Sequence, residues 1–507
     1  MFLGQLQLLN GTGKDEIPLL FPDASGKLRN YRVRERSVMS PELQRQYPDI
    51  RSYVGYSAEG TASRIRFSLS HKGFQGMIVE PGSRTLYLER TADTSGAYLL
   101  FARENLEPDL QGWTCKTDSK TGKGFPRVNG EGLIDDQQLR TYRLAVATTG
   151  EYAQYHGGTV EDALAAINAT LTRVNEVFER DLAIRMLLIP ETTQVIYTDP
   201  ATDPFGGNLS SEVQTALDTQ IGSSSYDIGH LFHQAGENGN AGFIGAVCED
   251  GRKGSAFAST PTPEGDRFDL DFVAHEMGHQ FGANHTWSFQ SEGTGVQAEP
   301  GSGTTIMGYA GITQDNDVQS SGDDYFHYYS ILQMSQYIVG TSCAIRTPLD
   351  NAPPVIAPLP DYTVPKGTAF VLEGFATDAD PEDLLTYSWE QIDDGVVTRS
   401  SFGPDNPAGA NFRSRRPTED PKRFFPLLSR VSSGNLTQTD PATGSAWETI
   451  ATVERDLNFS FTVRDNADGG GQLSSELVNV RVEEEAGPFE VLSQSTAEQY
   501  DIGSVQT

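Results

Sequence analysis

The chain has 507 residues, more than one hydrophobic core holds together, and its 37% hydrophobic and 21% charged residues suit several folded domains rather than a disordered chain. A balance of 38 Lys+Arg against 69 Asp+Glu leaves a net charge of -31, which repels nucleic acid and anionic lipid over most of the surface and argues against nucleic acid as a partner. No stretch approaches the roughly 18 uninterrupted apolar residues of a membrane span, and three cysteines are too few for a disulfide scaffold.

Met1 to Gln5 lacks a basic leader and a long apolar region, so an intact secretory signal is not expected there. From Asn30 to Arg103, short alternating segments at Tyr31 to Val33, Arg64 to Ser70, Phe74 to Val79, Leu86 to Glu89 and Tyr98 to Ala102 predict a small β domain. Glu104 to Gln138 is polar, contains Gly and carries Lys116, Lys120, Lys123 and Arg127, the pattern of an exposed linker or a solvated loop.

A second unit opens with the alternation of Tyr142, Leu144 and Val146. Thr159 to Arg180 then places Val160, Leu164, Ile167, Leu171, Val174 and Phe178 on one helical face, with Thr159 and Asp162 as a loose capping box. Strands are expected at Ala183 to Ile189 and at Asp227 to Phe232. Near Asn351-Ala352-Pro353-Pro354 the composition shifts to Pro and short β segments, including Phe370 to Leu372, Thr386 to Trp389, Phe459 to Val463 and Leu477 to Val482, which suits a β-sandwich. The expected division is 1–130 (β-rich, with linker), 139–347, 352–485 (all-β sandwich) and 486–507 (a linker or the start of a further module).

Chemistry concentrates in one place. Of eight histidines in the chain, three lie in His275-Glu276-Met277-Gly278-His279-Gln280-Phe281-Gly282-Ala283-Asn284-His285. Five fixed positions of this kind arise by chance on the order of once in 10^5 such chains. Residues four apart share a helix face, so His275 and His279 can address one metal ion, with Glu276 beside them as a general base and acid. Asp269 to Phe281 reads as the helix that carries them. Gly282 can end it at positive φ and turn His285 toward the same ion. Three imidazoles leave a fourth position open, the pattern of catalytic zinc.

These residues resemble the metzincin metalloproteases, whose second hallmark is a methionine turn, offered here by Thr304-Thr305-Ile306-Met307-Gly308-Tyr309. Leu139 to Thr347 looks like the reprolysin-like, adamalysin-related branch: an α/β domain with a mixed twisted sheet, a backing helix, an active-site helix and a final helix near Tyr325 to Ile338. Adamalysins carry Asp after the third histidine and Pro after the methionine turn, where this chain has Thr286 and Tyr309, so the exact branch stays open. The resemblance implies that Met307 supports the site without binding zinc, and that Tyr309 either steadies an oxyanion or is a buried tyrosine with a satisfied hydroxyl.

It also implies that residues 1 to about 130 are a propeptide inhibiting its own enzyme, and that Cys248 pairs with Cys343, the alternative being two buried thiols. Cys115 is then either a latent-state zinc ligand or an incidental buried cysteine. In the last unit, which resembles cadherin-like or immunoglobulin-like modules, Asp378-Ala379-Asp380-Pro381-Glu382-Asp383 and Asp465-Asn466-Ala467-Asp468 offer oxygen ligands of the kind calcium favours, or are solvated loops. The expectation is a secreted, latent zinc endopeptidase acting on protein or peptide substrates. Two alternatives stand beside it: a surface adhesin that keeps a metalloprotease scaffold, and a zinc hydrolase acting on other bonds.

Overall fold

The computed structural model describes residues 16–91, 96–103, 113–118, 133–490 and 499. The readings placed on Met1 to Gln5, on Lys120, Lys123 and Arg127, and on 491–498 and 500–507 lie outside the described residues.

The first unit is a meander of seven strands paired in chain order: β1 (Ile17–Pro22), β2 (Leu28–Glu35), β3 (Arg51–Ser57), β4 (Arg64–Ser70), β5 (Gly73–Val79), β6 (Leu86–Arg90) and β7 (Tyr98–Ala102). Every predicted segment of this region falls inside one of them. One face buries Phe21, Tyr31, Tyr53, Phe67 and Phe74 in a core of its own.

The second unit is a mixed sheet in the order β10-β9-β11-β13-β12-β8, with β14 added to β9. Its strands are β8 (Thr114–Cys115), β9 (Gln138–Thr148), β10 (Ile184–Leu188), β11 (Ile228–Gln234), β12 (Asn238–Asn240), β13 (Ala256–Thr260) and β14 (Ile345–Pro348). The long helix α1 (Val160–Leu182) starts where expected, because the Thr159 hydroxyl accepts from the Asp162 amide at 3.0 Å. Its apolar face packs into the main core with β9, β10 and the helix Tyr328–Val339. Helices α2 (Leu209–Gln220) and α4 (Tyr328–Val339) belong to the same unit, the latter starting three residues later than the sequence suggested.

The polar face of α1 is also buried, because β3 and β4 of the first unit lie across it. Arg66 pairs with Glu176 at 2.7 Å and Glu179 at 2.5 Å, and Thr172 donates to Ser52 at 2.8 Å, all out of solvent. Burying such charges is tolerable only when they are paired and hydrogen-bonded, as these are.

Among the described residues the third unit contains a four-stranded sheet, β16 (Tyr362–Pro365), β22 (Leu473–Glu483), β21 (Arg455–Arg464) and β19 (Thr386–Gln391), with the strand pairs β17 (Phe370–Glu373) with β20 (Lys422–Phe425) and β15 (Val355–Ile356) with β18 (Ala376–Thr377). It is bound closely to the second unit. Gly301 donates to the Val397 carbonyl at 2.8 Å and Val397 to that of Ser288 at 2.9 Å, bracing the loop that follows His285. No helix among the described residues is long and apolar enough to cross a membrane.

Candidate metal centre

The helix expected over Asp269 to Phe281 is wound as a π-helix over Arg267–Ala274 and continues as α3 (His275–Gln280). It is buried, with Phe272, Val273, Met277 and Phe281 in the main core. Gly282, at φ +109, ends it: its amide donates to the His279 carbonyl at 2.9 Å and that of Ala283 to Gly278 at 3.0 Å. The reversed chain brings the His285 ring to 4.5 Å from His279 and 5.2 Å from His275, centroid to centroid.

The segment around Met307 lies beneath this helix. A Cβ on Gly278 would fall 2.5 Å from Met307 Sδ, so the sulfur packs where only glycine leaves room. The same turn orients the first imidazole, His275 Nδ1 donating to the Ile306 carbonyl at 2.7 Å. His279 Nδ1 donates to the Ala283 carbonyl at 2.7 Å, and His285 Nδ1 to Glu292 at 3.0 and 3.1 Å. Because these oxygens can only accept, each ring carries its proton on Nδ1 and turns a lone pair inward on Nε2.

Those lone pairs converge. His279 Nε2 and His285 Nε2 are 3.0 Å apart, and His275 Nε2 is buried with no hydrogen-bond partner among the described residues. Lone pairs this close repel unless a cation lies among them, and a tetrahedral ion at about 2.0 to 2.1 Å from each nitrogen holds its ligands about 3.3 Å apart. Burial, and then the neighbouring imidazoles, push His275 down to about 3 and His279 well below the ordinary range, keeping both neutral as metal ligation requires.

Cys115 completes the set: its Sγ and one nitrogen of each histidine lie within 4.8 Å of one another, all four residues buried. Three imidazoles and a sulfur form a donor set that zinc favours. Burial and then the Glu276 charge push the thiol well above its usual range, so here a cation is what would make it a thiolate. The reading of Glu104 to Gln138 as an exposed linker or a solvated loop is therefore corrected for residues 113–118. Thr114–Cys115 forms strand β8, which adds in parallel to the edge strand β12, with Cys115 opposite Gly239 and the Lys116 amide donating to the Gly239 carbonyl at 2.8 Å. Trp113, Cys115 and Thr117 point inward and Thr114, Lys116 and Asp118 outward, a strand's two-residue alternation.

Glu276 is wholly buried behind this strand, and burial raises its carboxyl to about 8 despite hydrogen bonds that lower it. Its Oε2 accepts from the Thr117 hydroxyl at 3.0 Å, which in turn accepts from the Ala241 amide at 2.8 Å. The Tyr309 hydroxyl donates to His285 Nε2 at 2.9 Å, on the open side of the cluster.

Four participants escaped the sequence reading: Trp113, Thr117, Glu292 and Glu299. Glu299, buried, accepts from the hydroxyls of Thr286 at 2.6 Å and Thr305 at 2.5 Å and from the Thr304 amide at 2.8 Å, tying the segment after His285 to the methionine turn. The Thr286 departure thus has a structural partner. Cys248 and Cys343 form a disulfide. The acidic stretches differ from each other. Carboxylate oxygens of Asp378, Asp380 and Asp383 gather within 4.8 Å, a grouping common without an ion. Asp465 is taken up by the Ala467 and Gln472 amides and Asn351, and Asp468 by Arg36 and Tyr56 of the first unit. Nothing here supports calcium.

A mixed sheet, a buried histidine triad and an adjacent glutamate form the arrangement that a metallopeptidase requires. Residues 138–338 match the family model described as Metallo-peptidase family M12B Reprolysin-like, and this supports a reprolysin-like metallopeptidase acting on protein substrates. M12B metallopeptidases are zinc-dependent, in keeping with the triad of His275, His279 and His285. No curated protein matches the chain.

Proposed function

We propose that the chain is a secreted zinc endopeptidase made as a latent zymogen, with His275, His279 and His285 as ligands and Cys115 as the fourth in the latent state. The observation that carries this reading is the gathering of three Nε2 lone pairs and one sulfur beside a buried carboxylate. Zinc bound there supplies Lewis acidity toward a carbonyl oxygen and acidifies water. Glu276 takes the proton of the attacking water and returns it to the leaving amine. Tyr309, at the open side, donates its hydroxyl hydrogen toward the carbonyl oxygen as negative charge develops. Met307 holds the floor of the site by packing on Gly278.

In this reading residues 1–130 form the propeptide, 139–347 the catalytic domain and 352–485 a module that braces it. The Cys248 to Cys343 disulfide suits an oxidising, extracytoplasmic compartment. The test is zinc content and peptide hydrolysis of the full chain, of Glu276→Ala and of Cys115→Ala. Glu276→Ala is expected to retain the metal and lose turnover, and Cys115→Ala to hydrolyse peptides in a chelator-sensitive way. Absence of metal from the folded chain, or turnover retained by Glu276→Ala, refutes the proposal.

A further inference from the structure

We infer that the cleft occupied by residues 113–118 holds an aromatic side chain of the peptide substrate, Phe- or Trp-sized, in the slot that Trp113 fills. This rests on the latent-zymogen reading above. Side chains 113, 115 and 117 alternate along one strand, about 6 to 7 Å from one to the next. They meet three different things: an apolar slot, the cluster of metal-ligand atoms and the Glu276 carboxylate. A substrate side chain in the first of these belongs to a residue within two positions of the bond being cut.

The slot has defined walls. The Phe272 ring is parallel to the Trp113 indole within 1°, centroids 4.5 Å apart. His275 at 5.6 Å and Tyr309 at 6.2 Å meet the same indole edge-on, at 86° and 89°. The Arg267 guanidinium lies over the Phe272 ring, 5.3 Å from its centroid, and helps fix its tilt. Each of these walls comes from residues 267–309, so the slot persists when the strand is withdrawn. Parallel stacking with edge-on neighbours selects a flat ring over a branched aliphatic chain.

The indole is 4% exposed and its Nε1 finds no acceptor among the described residues. An unpaired buried N–H is a cost that a phenyl ring avoids. Phe is therefore expected to serve at least as well as Trp.

The experiment uses the full-length, zinc-loaded Trp113→Ala/Cys115→Ala variant, or Trp113→Ser/Cys115→Ser where that variant does not fold, so that the slot is empty in either case. Quenched peptides varied one position at a time should show a preference of at least about tenfold for Phe or Trp over Ala at a single position flanking the cut. Independently of turnover, calorimetry should find that the synthetic hexapeptide of residues 113–118 binds at least about tenfold more tightly than its Trp113→Ala version and within about threefold of its Trp113→Phe version. Hydrolysis without aromatic preference, or equal binding of the Trp and Ala peptides, overturns the inference while leaving the zinc peptidase reading intact. A chain that neither holds zinc nor cleaves any peptide refutes that reading instead, and the peptide-binding ratio still decides the slot.

Discussion

The hydroxyl of Thr117 donates to Oε2 of Glu276 at 3.0 Å, so the residue two places beyond Cys115 occupies the carboxylate that would otherwise face a water molecule. The edge strand closes in from the other side: a Cβ on Gly239 would lie 2.3 Å from Glu276 Oε1. Thr117→Val keeps the shape but leaves Glu276 and the Ala241 amide without this partner, weakening strand docking by about 1 to 3 kcal/mol. Basal peptide hydrolysis by the full chain should rise, though less than in Cys115→Ala, whose lost sulfur faces the metal ligands. A Thr117→Val chain as silent as the parent would sink the idea that the strand blocks base and metal together.

Arg66 is 1% exposed and bridges Glu176 and Glu179, which are 0% and 2% exposed. Arg66→Ala takes one guanidinium from two buried carboxylates that keep Arg64 and Arg185 as partners and should lower unfolding stability by about 2 to 3 kcal/mol, whereas Arg45→Ala, which breaks an exposed pair with Glu42, should cost less than about 1 kcal/mol. Urea unfolding curves of the two variants decide it. Equal midpoints would mean that the first unit does not depend on these pairs to stay on α1.

His156 is buried, with Nε2 donating to the Pro263 carbonyl at 3.1 Å, and burial first of all lowers it from 6.5 to about 4. The unfolded chain therefore binds this proton first. Its contribution is complete above about pH 6.5 and is lost as pH falls toward 4, by up to roughly 3 kcal/mol. His230, also lowered to about 4 by burial, acts in the same direction. His156→Gln should shrink the loss of stability between pH 7 and 4.5, measured by denaturant titration at both. An unchanged difference would contradict the assignment.

Cys248 and Cys343 close a loop with a sequence separation of 95. The Cys248→Ser/Cys343→Ser variant should unfold about 2 to 5 kcal/mol more easily. Adding reductant to the denatured parent should bring its refolded stability toward that of the variant. No change in either experiment would show that the crosslink is dispensable.

The sequence by itself determined what depends on short-range repetition. Strand alternation marked β4 to β7, a 3.6-residue period and a cap marked α1, and four-residue spacing with Gly282 placed His275, His279 and His285 within reach of one another, because those geometries follow from backbone periods alone. Met307 was legible only through its resemblance to a known turn. What only the tertiary structure decided is which distant segments meet. Trp113, Cys115 and Thr117 sit in a stretch whose lysines and glycines read as loop, yet they form an edge strand, since pairing with Asn238–Asn240 supplies the hydrogen bonds their own neighbours do not. Likewise Glu176 and Glu179 look like a solvent face until Arg66 arrives from 110 and 113 residues away, a match of charge with charge that no local period encodes.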